Sequence, residues 1–499
     1  MNKNEIPQQW VKTTLGHIVD YGRSAKKTLV DVNDNTWVLE LEDIEKDSSR
    51  LLSKVKVSDR KFKSTKNMFH QGDVLYGKLR PYLNKVIMAD EDGVCTTEIV
   101  PINAEPFCIN SYIFFWLKNP IFLRYVRDVS YGVNMPRLGT NDGKNAPFYL
   151  APLAEQKIIA DKLDDLLARV ESIKTRLENI PEILKKFRQS VLSAAMSGKL
   201  TEEWRIGKEE NPISDLLKEI NIEQRVAIEN KIVKKNFGNH NIVSPLFDLP
   251  DFCWEWVCFP QISETNNNAL KAGPFGSALK KSDCVDDGYK VYGQEQVISG
   301  QENIETYRVT ESKFEELKSC MVKPGDVLIS LVGTIGKVLI LSSNAEIGII
   351  NPRLVKISLH EKISREYIEY YLESSFSYYF FKSFSHGGTM EILNLSILKE
   401  LPIPLPPISE QHEIVRRIKN FLVRADSIEK SVSNALKRIN NLTQSILAKA
   451  FRGELTAQWR EENPELISGL NSAEALLEKI TAEKLASGTI KKRTKKASN

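Results

Sequence analysis

The chain contains the segment APLAEQKIIADKLDDLLARVESIKTRLENIPEILKKFRQSVLSAAMSGKLTEEWR at residues 151–205, and a related segment follows 255 positions later at residues 406–460. The two segments align without a gap and share 18 of 55 residues. Each follows a longer block, residues 1–150 and 250–405, that reads as mixed short strands, turns and helices. The sequence therefore predicts one structural unit written twice.

Apolar residues recur at alternating spacings of four and three within both segments, which is typical of a coiled-coil seam. The predicted seam includes, in the first segment, Ile159, Leu163, Leu166, Val170, Ile173 and Leu177, and in the second Ile414, Ile418, Phe421, Ile428, Val432 and Ile439. Pro181 removes an amide donor, which predicts a kink or break near Asn179. Gly198 and Gly453 follow the helices and predict left-handed helix ends.

The two blocks are predicted to be compact α/β or α+β modules. Each contains a Gly-Asp turn that leads into an apolar strand, Gly72-Asp73 and Gly325-Asp326. Residues 206–249 read as a polar linker with one helix around Asp215 to Val233. Residues 461–499 read as a polar tail with a basic end.

Composition limits the classes of protein that the chain can be. It has 499 residues, with 69 Lys and Arg against 65 Asp and Glu, and a net charge of +4. That charge is too small for a wholly basic coat protein, so any contact with nucleic acid must be local. No signal peptide or membrane span is recognisable, and we expect a cytoplasmic protein. The six cysteines lack a Cys-x-x-Cys pair, so neither a disulfide framework nor a zinc site is indicated.

Catalytic motifs fail on inspection. His412-Glu413 begins like a zinc-protease helix, but Arg416 stands where the second histidine ligand belongs, which favours a solvent-facing helix start. Asn351-Pro352 continues into Arg353, unlike the Asn-Pro-Pro-aromatic motif of amino-methyltransferases. We therefore predict no catalytic residues and no metal site.

A binding signature remains. Between Lys54 and Lys85 nine basic residues stand against Asp59 and Asp73, with aromatic residues interleaved. Basic side chains can hold phosphates, while amide and hydroxyl side chains read base edges; a charged, solvated face is the alternative. The candidate DNA-binding residues are Lys26, Lys27, Lys61, Lys63, Lys78, Arg80, Tyr82, Lys85, Asn134 and Arg137 in the first block, and Ser277, Lys280, Lys281, Gln294, Lys337 and Thr389 in the second.

Two further motifs give the chain a family resemblance. Each helical segment opens with Pro-x-x-Glu-Gln, at residues 152–156 and 407–411, and closes with Gly-x-Leu-Thr-x-x-Trp-Arg, at 198–205 and 453–460. Together with residues 273–277, which read Gly-Pro-Phe-Gly-Ser, these motifs resemble the specificity subunit of Type I restriction-modification enzymes. The resemblance covers roughly residues 8–460.

The resemblance implies an α+β fold with an internal pseudo-two-fold. Two target-recognition domains, residues 1–150 and 250–405, are joined by helical spacers, 151–205 and 406–460, packed as an antiparallel coiled coil. The seam from Ile159 to Val191 has 33 residues and would be about 50 Å long at 1.5 Å per residue. Half-sites one turn of DNA apart lie about 34 Å from each other, so the domains could reach separated major-groove segments.

It also implies a function and partners. The chain would be non-catalytic, would recognise a bipartite asymmetric site in double-stranded DNA, and would dock two methyltransferase subunits and two restriction subunits. It would bind no cofactor itself, whereas the partner subunits would use S-adenosylmethionine, ATP and Mg²⁺. The alternative is a non-catalytic coiled-coil interaction protein with two protein-binding or RNA-binding modules; a restriction enzyme fused to its own specificity module is disfavoured because no catalytic motif is present.

Overall fold

The computed structural model describes residues 6–130, 135–208, 211–234, 245–250, 253–276, 278–331, 336–384 and 394–487. The chain divides into two compact units. Unit 1 comprises Met1–Glu178 with Ser433–Asn499, and unit 2 comprises Asn179–Val432. Each unit holds one sequence block and parts of both long helices.

Unit 1 is built on short strands covered by helices, and all strand pairs of its described sheets are antiparallel except β3 with β7. Its sheets have the strand orders β2-β4-β7-β3, β6-β5-β8 and β1-β9. The strands of its described residues are β1 Val11–Thr14, β2 Lys26–Lys27, β3 Trp37–Leu39, β4 Lys66–Phe69, β5 Val74–Gly77, β6 Val86–Met88, β7 Gly93–Cys95, β8 Ile99–Ile102 and β9 Pro147–Leu150. The helices of the first block are α1 Leu15–Ile18, α2 Asn110–Leu117, α3 Pro120–Val129 and α4 Thr140–Asn145, followed by the long helix α5 Leu153–Met196.

Unit 2 repeats this plan, with one sheet of five strands in place of one of three. Its strand orders are β11-β19-β16-β17, β12-β14-β13-β18-β15 and β10-β20. Its described strands are β10 Glu255–Val257, β11 Leu270–Ala272, β12 Cys284–Val285, β13 Tyr289–Tyr292, β14 Tyr307–Val309, β15 Met321–Val322, β16 Val327–Ser330, β17 Val338–Ile340, β18 Gly348–Ile350, β19 Leu354–Ile357 and β20 Ile403–Leu405. Its helices are α6 Glu202–Arg205, α7 Ile213–Glu229, α8 Phe259–Ile262, α9 Gln294–Ser299, α10 Glu311–Glu316, α11 Arg365–Leu372, α12 Ser375–Ser383 and α13 Leu395–Glu400, before the long helix α14 Ile408–Ala450.

Both linking segments carry helices. The helix predicted around Asp215 to Val233 is present as α7. After α14 the chain forms α15 Ala457–Glu462 and α16 Ala473–Ala486, and α16 contributes Leu476 and Ile480 to the core of unit 1. In the described part of the chain, no helix is long and apolar enough to cross a membrane.

The predicted Gly-Asp turns begin equivalent central strands. Asp73 accepts a hydrogen bond from the amide of His70 at 2.8 Å just before β5, and Asp326 accepts one from the amide of Lys323 at 2.9 Å just before β16. The register also matches. In β5 and β8, Val74 lies opposite Ile102 and Gly77 opposite Ile99. In β16 and β19, Val327 lies opposite Ile357 and Ser330 opposite Leu354. Both turn predictions are confirmed, and the central strands of the two blocks correspond position by position.

The two long helices run antiparallel within each unit. In unit 1 the start of α5, at Ile159 and Leu163, shares a core with Leu447 near the end of α14. In unit 2 the end of α5, at Val191, shares a core with Ile418 near the start of α14. The prediction of two long helices packed antiparallel is confirmed, and burial of their apolar faces stabilises helices that would be marginal alone.

The predicted seam is buried unevenly. Its buried members are Ile159, Leu163, Val170, Ile414, Ile418 and Val432, and Leu166, Leu177, Phe421 and Ile439 are half-buried. Ile173 and Ile428 are 51% and 47% exposed, so the prediction of a continuous seam is wrong at these two positions. A straight helix turns once in 3.6 residues, so positions chosen at a strict 3.5-residue spacing drift out of the contact by about 20° per heptad.

The break expected near Asn179 is absent. Helix α5 continues through Pro181 to Met196. A proline inside a helix costs one backbone hydrogen bond. Packing on both sides of Pro181, at Val170 and at Leu184, stabilises the continuous helix in spite of that loss.

The uneven seam gives a matched pair of variants on one helix. We expect Val432→Asp to lower the free energy of unfolding by several kcal/mol, because Val432 is 6% exposed and the new carboxylate would be buried without a partner. Ile428→Asp, one turn earlier, should cost less than about 1 kcal/mol because its side chain reaches water. Urea titration followed by circular dichroism measures both, and equal losses would argue against the observed seam.

Candidate nucleic-acid interface

A buried carboxylate cluster joins the two repeated motifs within unit 2. The side chain of Glu410, from the opening motif of the second copy, is 1% exposed. It accepts hydrogen bonds from Trp254 Nε1 at 2.8 Å and Thr201 Oγ1 at 2.6 Å, and it forms an ion pair with Arg205 at 2.6 Å. Thr201 and Arg205 belong to the closing motif of the first copy. The cluster thus ties the start of α14 to the chain that leaves α5.

Unit 1 contains the same cluster with the copies exchanged. Glu155 is fully buried and accepts from Trp10 Nε1 at 2.8 Å and from Thr456 Oγ1 at 2.6 Å. Arg460 completes the cluster with an ion pair at 2.5 Å. The glutamate of each opening motif is therefore bound by the threonine and arginine of the closing motif of the other copy. This pairing explains why both motifs occur twice in one chain.

The glutamine next to each glutamate attaches the block to the long helix. Gln156 Oε1 accepts from the amide of Ile109, directly before α2, at 3.0 Å. Gln411 Oε1 accepts from the amide of Ser364, directly before α11, also at 3.0 Å. The opening motif thereby fixes its own block as well as the opposite closing motif.

The glycines of the closing motifs are required by their backbone. Gly198 and Gly453 adopt φ angles of 73° and 74°, confirming the predicted left-handed helix ends. A Cβ atom at Gly198 would lie 2.5 Å from Pro250, and one at Gly453 would lie 2.3 Å from Pro7. Any larger residue would clash with the chain that enters each block.

In unit 1 several candidate residues meet at the end of β5. The amide of Lys78 donates to the carbonyl of Glu98 at 2.9 Å, and the carbonyl of Lys78 accepts from Leu138 at 3.0 Å. The amide of Arg80 donates to the carbonyl of Pro136 at 2.7 Å. Residues 78–80, 98 and 136–138, with the turn at 81–83 that follows Arg80, therefore form one edge of the block, which we call edge 1.

Edge 1 is basic and partly exposed. Arg80 is exposed, Tyr82 is 53% exposed, and Lys78 is half-buried. Arg80 has a φ of 48°, a conformation that non-glycine residues rarely adopt and that is often found at functional sites. Arg137 forms an ion pair with Glu98 at 3.2 Å, and Lys85 donates to the carbonyl of Leu41 at 2.7 Å.

The other candidates of the first block lie on the sheet that contains β2. Lys26 bonds to Asn67, whose amide donates to the carbonyl of Ile99 at 2.7 Å, so Lys26 lies near edge 1. Lys27 is half-buried beside it. Lys61 and Lys63 are exposed on either side of Phe62, which is buried in a small core with Val38.

Much of the basic stretch identified in the sequence is neutralised. Four of its nine basic residues pair with carboxylates that lie outside the stretch in sequence. These pairs are Lys54 with Asp90, Lys56 with Glu91, Arg60 with Asp43, and Lys66 with Glu40. The side chains of Arg80 and Tyr82 are therefore better placed for phosphate contact than these four.

In unit 2 the corresponding strand end carries Gln294, Ser330 and Arg353. Gln294 donates to Ser330 Oγ at 2.8 Å and accepts from Arg353 at 3.4 Å. Lys337 is exposed immediately before β17. We call this region edge 2, and it comprises residues 293–294, 330–331, 336–337 and 351–353. Arg353 is not among the candidates predicted from the sequence.

The remaining candidates of the second block are Lys280, Lys281, Ser277 and Thr389. Lys280 and Lys281 are exposed at a short turn that begins at Lys280. Asn134, Ser277 and Thr389 lie outside the described residues.

The excluded zinc motif forms part of a helix surface. His412 is exposed, and Glu413 forms ion pairs with Arg416 at 2.7 Å and Arg417 at 2.6 Å. Hydrogen bonding from Arg416, the largest cause, lowers the pKa of Glu413 to about 2. Among the residues described, no group of three His, Cys, Asp or Glu side chains could hold a metal ion.

Comparison with known proteins shows what this chain is similar to. The family model described as Type I restriction modification DNA specificity domain matches residues 7–182 and 275–438. The Type I restriction enzyme EcoBI specificity subunit of Escherichia coli is 37% identical over 427 residues, covering 83% of this chain and 80% of the relative. The EcoKI specificity subunit of E. coli strain K12 is 36% identical over 407 residues, covering 79% and 76% respectively.

Solved structures share the fold. The HsdS subunit from Thermoanaerobacter tengcongensis matches with a TM-score of 0.53 and 18% identity, over 91% of this chain and all of that one. A chain from a structure concerned with complex assembly of the type I R-M system matches with a TM-score of 0.59 and 18% identity, over 90% and 99%. The predicted fold class, two repeated modules with two long packed helices, is confirmed.

Proposed function

The chain belongs to the Type I restriction-modification DNA specificity family, and from this premise we propose that it recognises a bipartite, asymmetric DNA site for partner enzymes. The observation that carries the proposal is the duplicated anchoring of two different blocks. Each block is attached by a Gln-mediated contact and a buried Glu cluster to the same two helices. Two different readers joined by the same pair of helices suit two half-sites separated by a spacer.

The asymmetry of the site follows from the asymmetry of the edges. Edge 1 presents Arg80 and Tyr82, whereas edge 2 presents Lys337 and Arg353. Because base edges are read by side chains with matching donors and acceptors, blocks with different side chains at corresponding places select different bases. The two half-sites would accordingly differ in sequence.

The long helices offer apolar surface for methyltransferase subunits. In unit 2, Ile183 on α5 is 60% exposed and Val423 on α14 is 66% exposed. In unit 1, Ile173 on α5 and Leu442 on α14 are 51% and 48% exposed. Since each unit carries such surface, we propose two docked methyltransferase subunits, with restriction subunits joining them. S-adenosylmethionine, ATP and Mg²⁺ would be bound by these partners in the cytoplasm and not by this chain.

The phosphate contacts proposed for edge 1 can be measured. We expect Lys78→Ala and Arg80→Ala each to weaken binding to every DNA sequence. Each change should also flatten the dependence of log Kobs on log salt by up to about 0.9. Lys54→Ala is the matched control from the same basic stretch, because Asp90 already neutralises Lys54 at 2.8 Å. Fluorescence anisotropy at several salt concentrations gives the slopes, and an equal effect of all three changes would contradict the proposed contacts.

Reconstitution tests the proposed function as a whole. The purified chain is incubated with DNA and labelled S-adenosylmethionine, with and without its methyltransferase partner. We expect methylation of adenine at one bipartite sequence only when both proteins are present, because this chain supplies recognition and the partner supplies chemistry. Methyl transfer by the chain alone would overturn the non-catalytic role. Preferential binding of RNA or protein, with no DNA-dependent activity, would support an interaction protein instead.

A further inference from the structure

One position is structurally equivalent in the two blocks but carries opposite charges. Glu98 directly precedes β8, and Arg353 directly precedes β19. The carbonyl of Glu98 accepts from the amide of Lys78 at 2.9 Å, and the carbonyl of Arg353 accepts from the amide of Leu331 at 2.9 Å. The backbone places both side chains at the same point of their blocks, at edges 1 and 2.

The chain runs from this point toward the helical support. Strand β19 starts next to Arg353, and the chain that follows it reaches Ser364, whose amide is bound by Gln411 on α14. The other end of the strand thus leads toward the long helix.

The side chain of Arg353 is exposed yet held. Gln294 accepts a hydrogen bond from the Arg353 guanidinium at 3.4 Å, and its amide nitrogen donates to Ser330 Oγ at 2.8 Å. The turn below is fixed by Asn351, whose side-chain oxygen accepts from the Arg353 amide at 2.9 Å. The Asn351 bond fixes the backbone that carries the side chain, and the Gln294 bond reduces the freedom that the guanidinium loses when it binds.

We propose that Arg353 is a specificity-determining residue that recognises a guanine in the half-site read by the second block, with Gln294 as its positioning residue. Arginine matches the two acceptors, O6 and N7, that guanine presents in the major groove. Gln294 uses its amide to hold Arg353 and Ser330, so it acts on the guanine through Arg353. The inference rests on the proposed function, because it assumes that the block binds DNA.

The first block differs at the equivalent point. Glu98 is half-buried and paired with Arg137 at 3.2 Å, and a carboxylate accepts hydrogen bonds but cannot donate to guanine O6 or N7. Guanine selection by this mechanism is therefore confined to one half-site. The opposite charges of one equivalent pair supply a physical cause for asymmetric recognition.

The test is the methylated sequence produced by the complete complex. Complexes of the methyltransferase with the wild-type chain, Arg353→Ala, Arg353→Gln or Gln294→Ala methylate genomic DNA in cells, and N6-methyladenine is mapped by sequencing. We expect Arg353→Ala to reduce discrimination at one guanine of one half-site by about 5- to 150-fold, the range of one bidentate contact. Arg353→Gln should shift that position toward adenine, which glutamine recognises. Gln294→Ala should relax the same position more weakly.

Two controls decide between this role and others. Lys318→Ala removes another exposed cation of the second block, one that lies outside edge 2 and pairs with Glu315 at 2.9 Å, and it should leave every base preference unchanged. Binding of each variant to matched and unrelated duplexes is measured by anisotropy. If Arg353→Ala weakens both duplexes equally, Arg353 is a phosphate contact and the inference is wrong; an unaltered motif also overturns it. Failure of the wild-type complex to methylate any specific sequence would instead refute the proposed function.

Discussion

Replacing Glu410 by alanine should lower the free energy of unfolding of unit 2 by about 3–5 kcal/mol, the usual loss when one partner of a buried ion pair is removed. The substitution removes the buried carboxylate that pairs with Arg205 at 2.6 Å, and the Arg205 side chain is only 16% exposed. It also removes the acceptor of the buried Trp254 indole and the nearer acceptor of Thr201, whose other acceptor, the Gly198 carbonyl, lies 3.5 Å away. Domains are stable by only about 5–15 kcal/mol, so a large part of the unit's stability would be lost.

The duplicated cluster supplies its own comparison. Glu155→Ala should cause an equal loss in unit 1, because Trp10, Thr456 and Arg460 lose the same contacts. Glu203→Ala, an exposed change two residues after Thr201, should have an effect below about 0.5 kcal/mol. Urea titration with tryptophan fluorescence follows both units, since the seven tryptophans of the chain are divided between them. Midpoints for Glu410→Ala and Glu155→Ala that match Glu203→Ala would contradict the structural role assigned to the motifs.

The helical part of the fold could be predicted from sequence because its signals are local and repeated. The heptad spacing predicted the positions of both long helices, and Gly198 and Gly453 predicted their C-terminal ends. The motif residues were recognised as a family signature, but their partners were not predicted. Glu155 and Thr456 are far apart in sequence, and only the antiparallel path of α14 brings them within 2.6 Å.

The binding residues were harder to predict, because a count of basic residues along the chain does not include carboxylates that are distant in sequence but adjacent in the fold. Lys66 is one of the nine basic residues of the stretch from Lys54 to Lys85, but it is buried and paired with Glu40 from a neighbouring segment. Arg353 was noted only as the residue that interrupts a methyltransferase-like motif. A signal for it did exist, because Glu98 lies 255 residues before Arg353, the same offset as in the helical repeat.

The second large effect concerns recognition itself. Exchanging residues 11–150 for the corresponding block of another family member should replace one half of the methylated sequence completely and leave the other half unchanged. The ends of the exchanged segment are chosen from the structure. Strands β1 and β9 pair with each other, with Val11 opposite Leu150 and Thr14 opposite Pro147, so both are exchanged. Trp10 is kept because it belongs to the Glu155 cluster. Stability should change little, provided that the new block supplies an amide for Gln156 in place of Ile109.

The central claim is that two independent readers share one helical support, and the map of N6-methyladenine in cells carrying this exchanged chain tests it most directly. The account predicts a new sequence in one half-site, the original sequence in the other, and an unchanged number of bases between them, because α5 and α14 are untouched. A methylated sequence altered in both halves, or in neither, would contradict it.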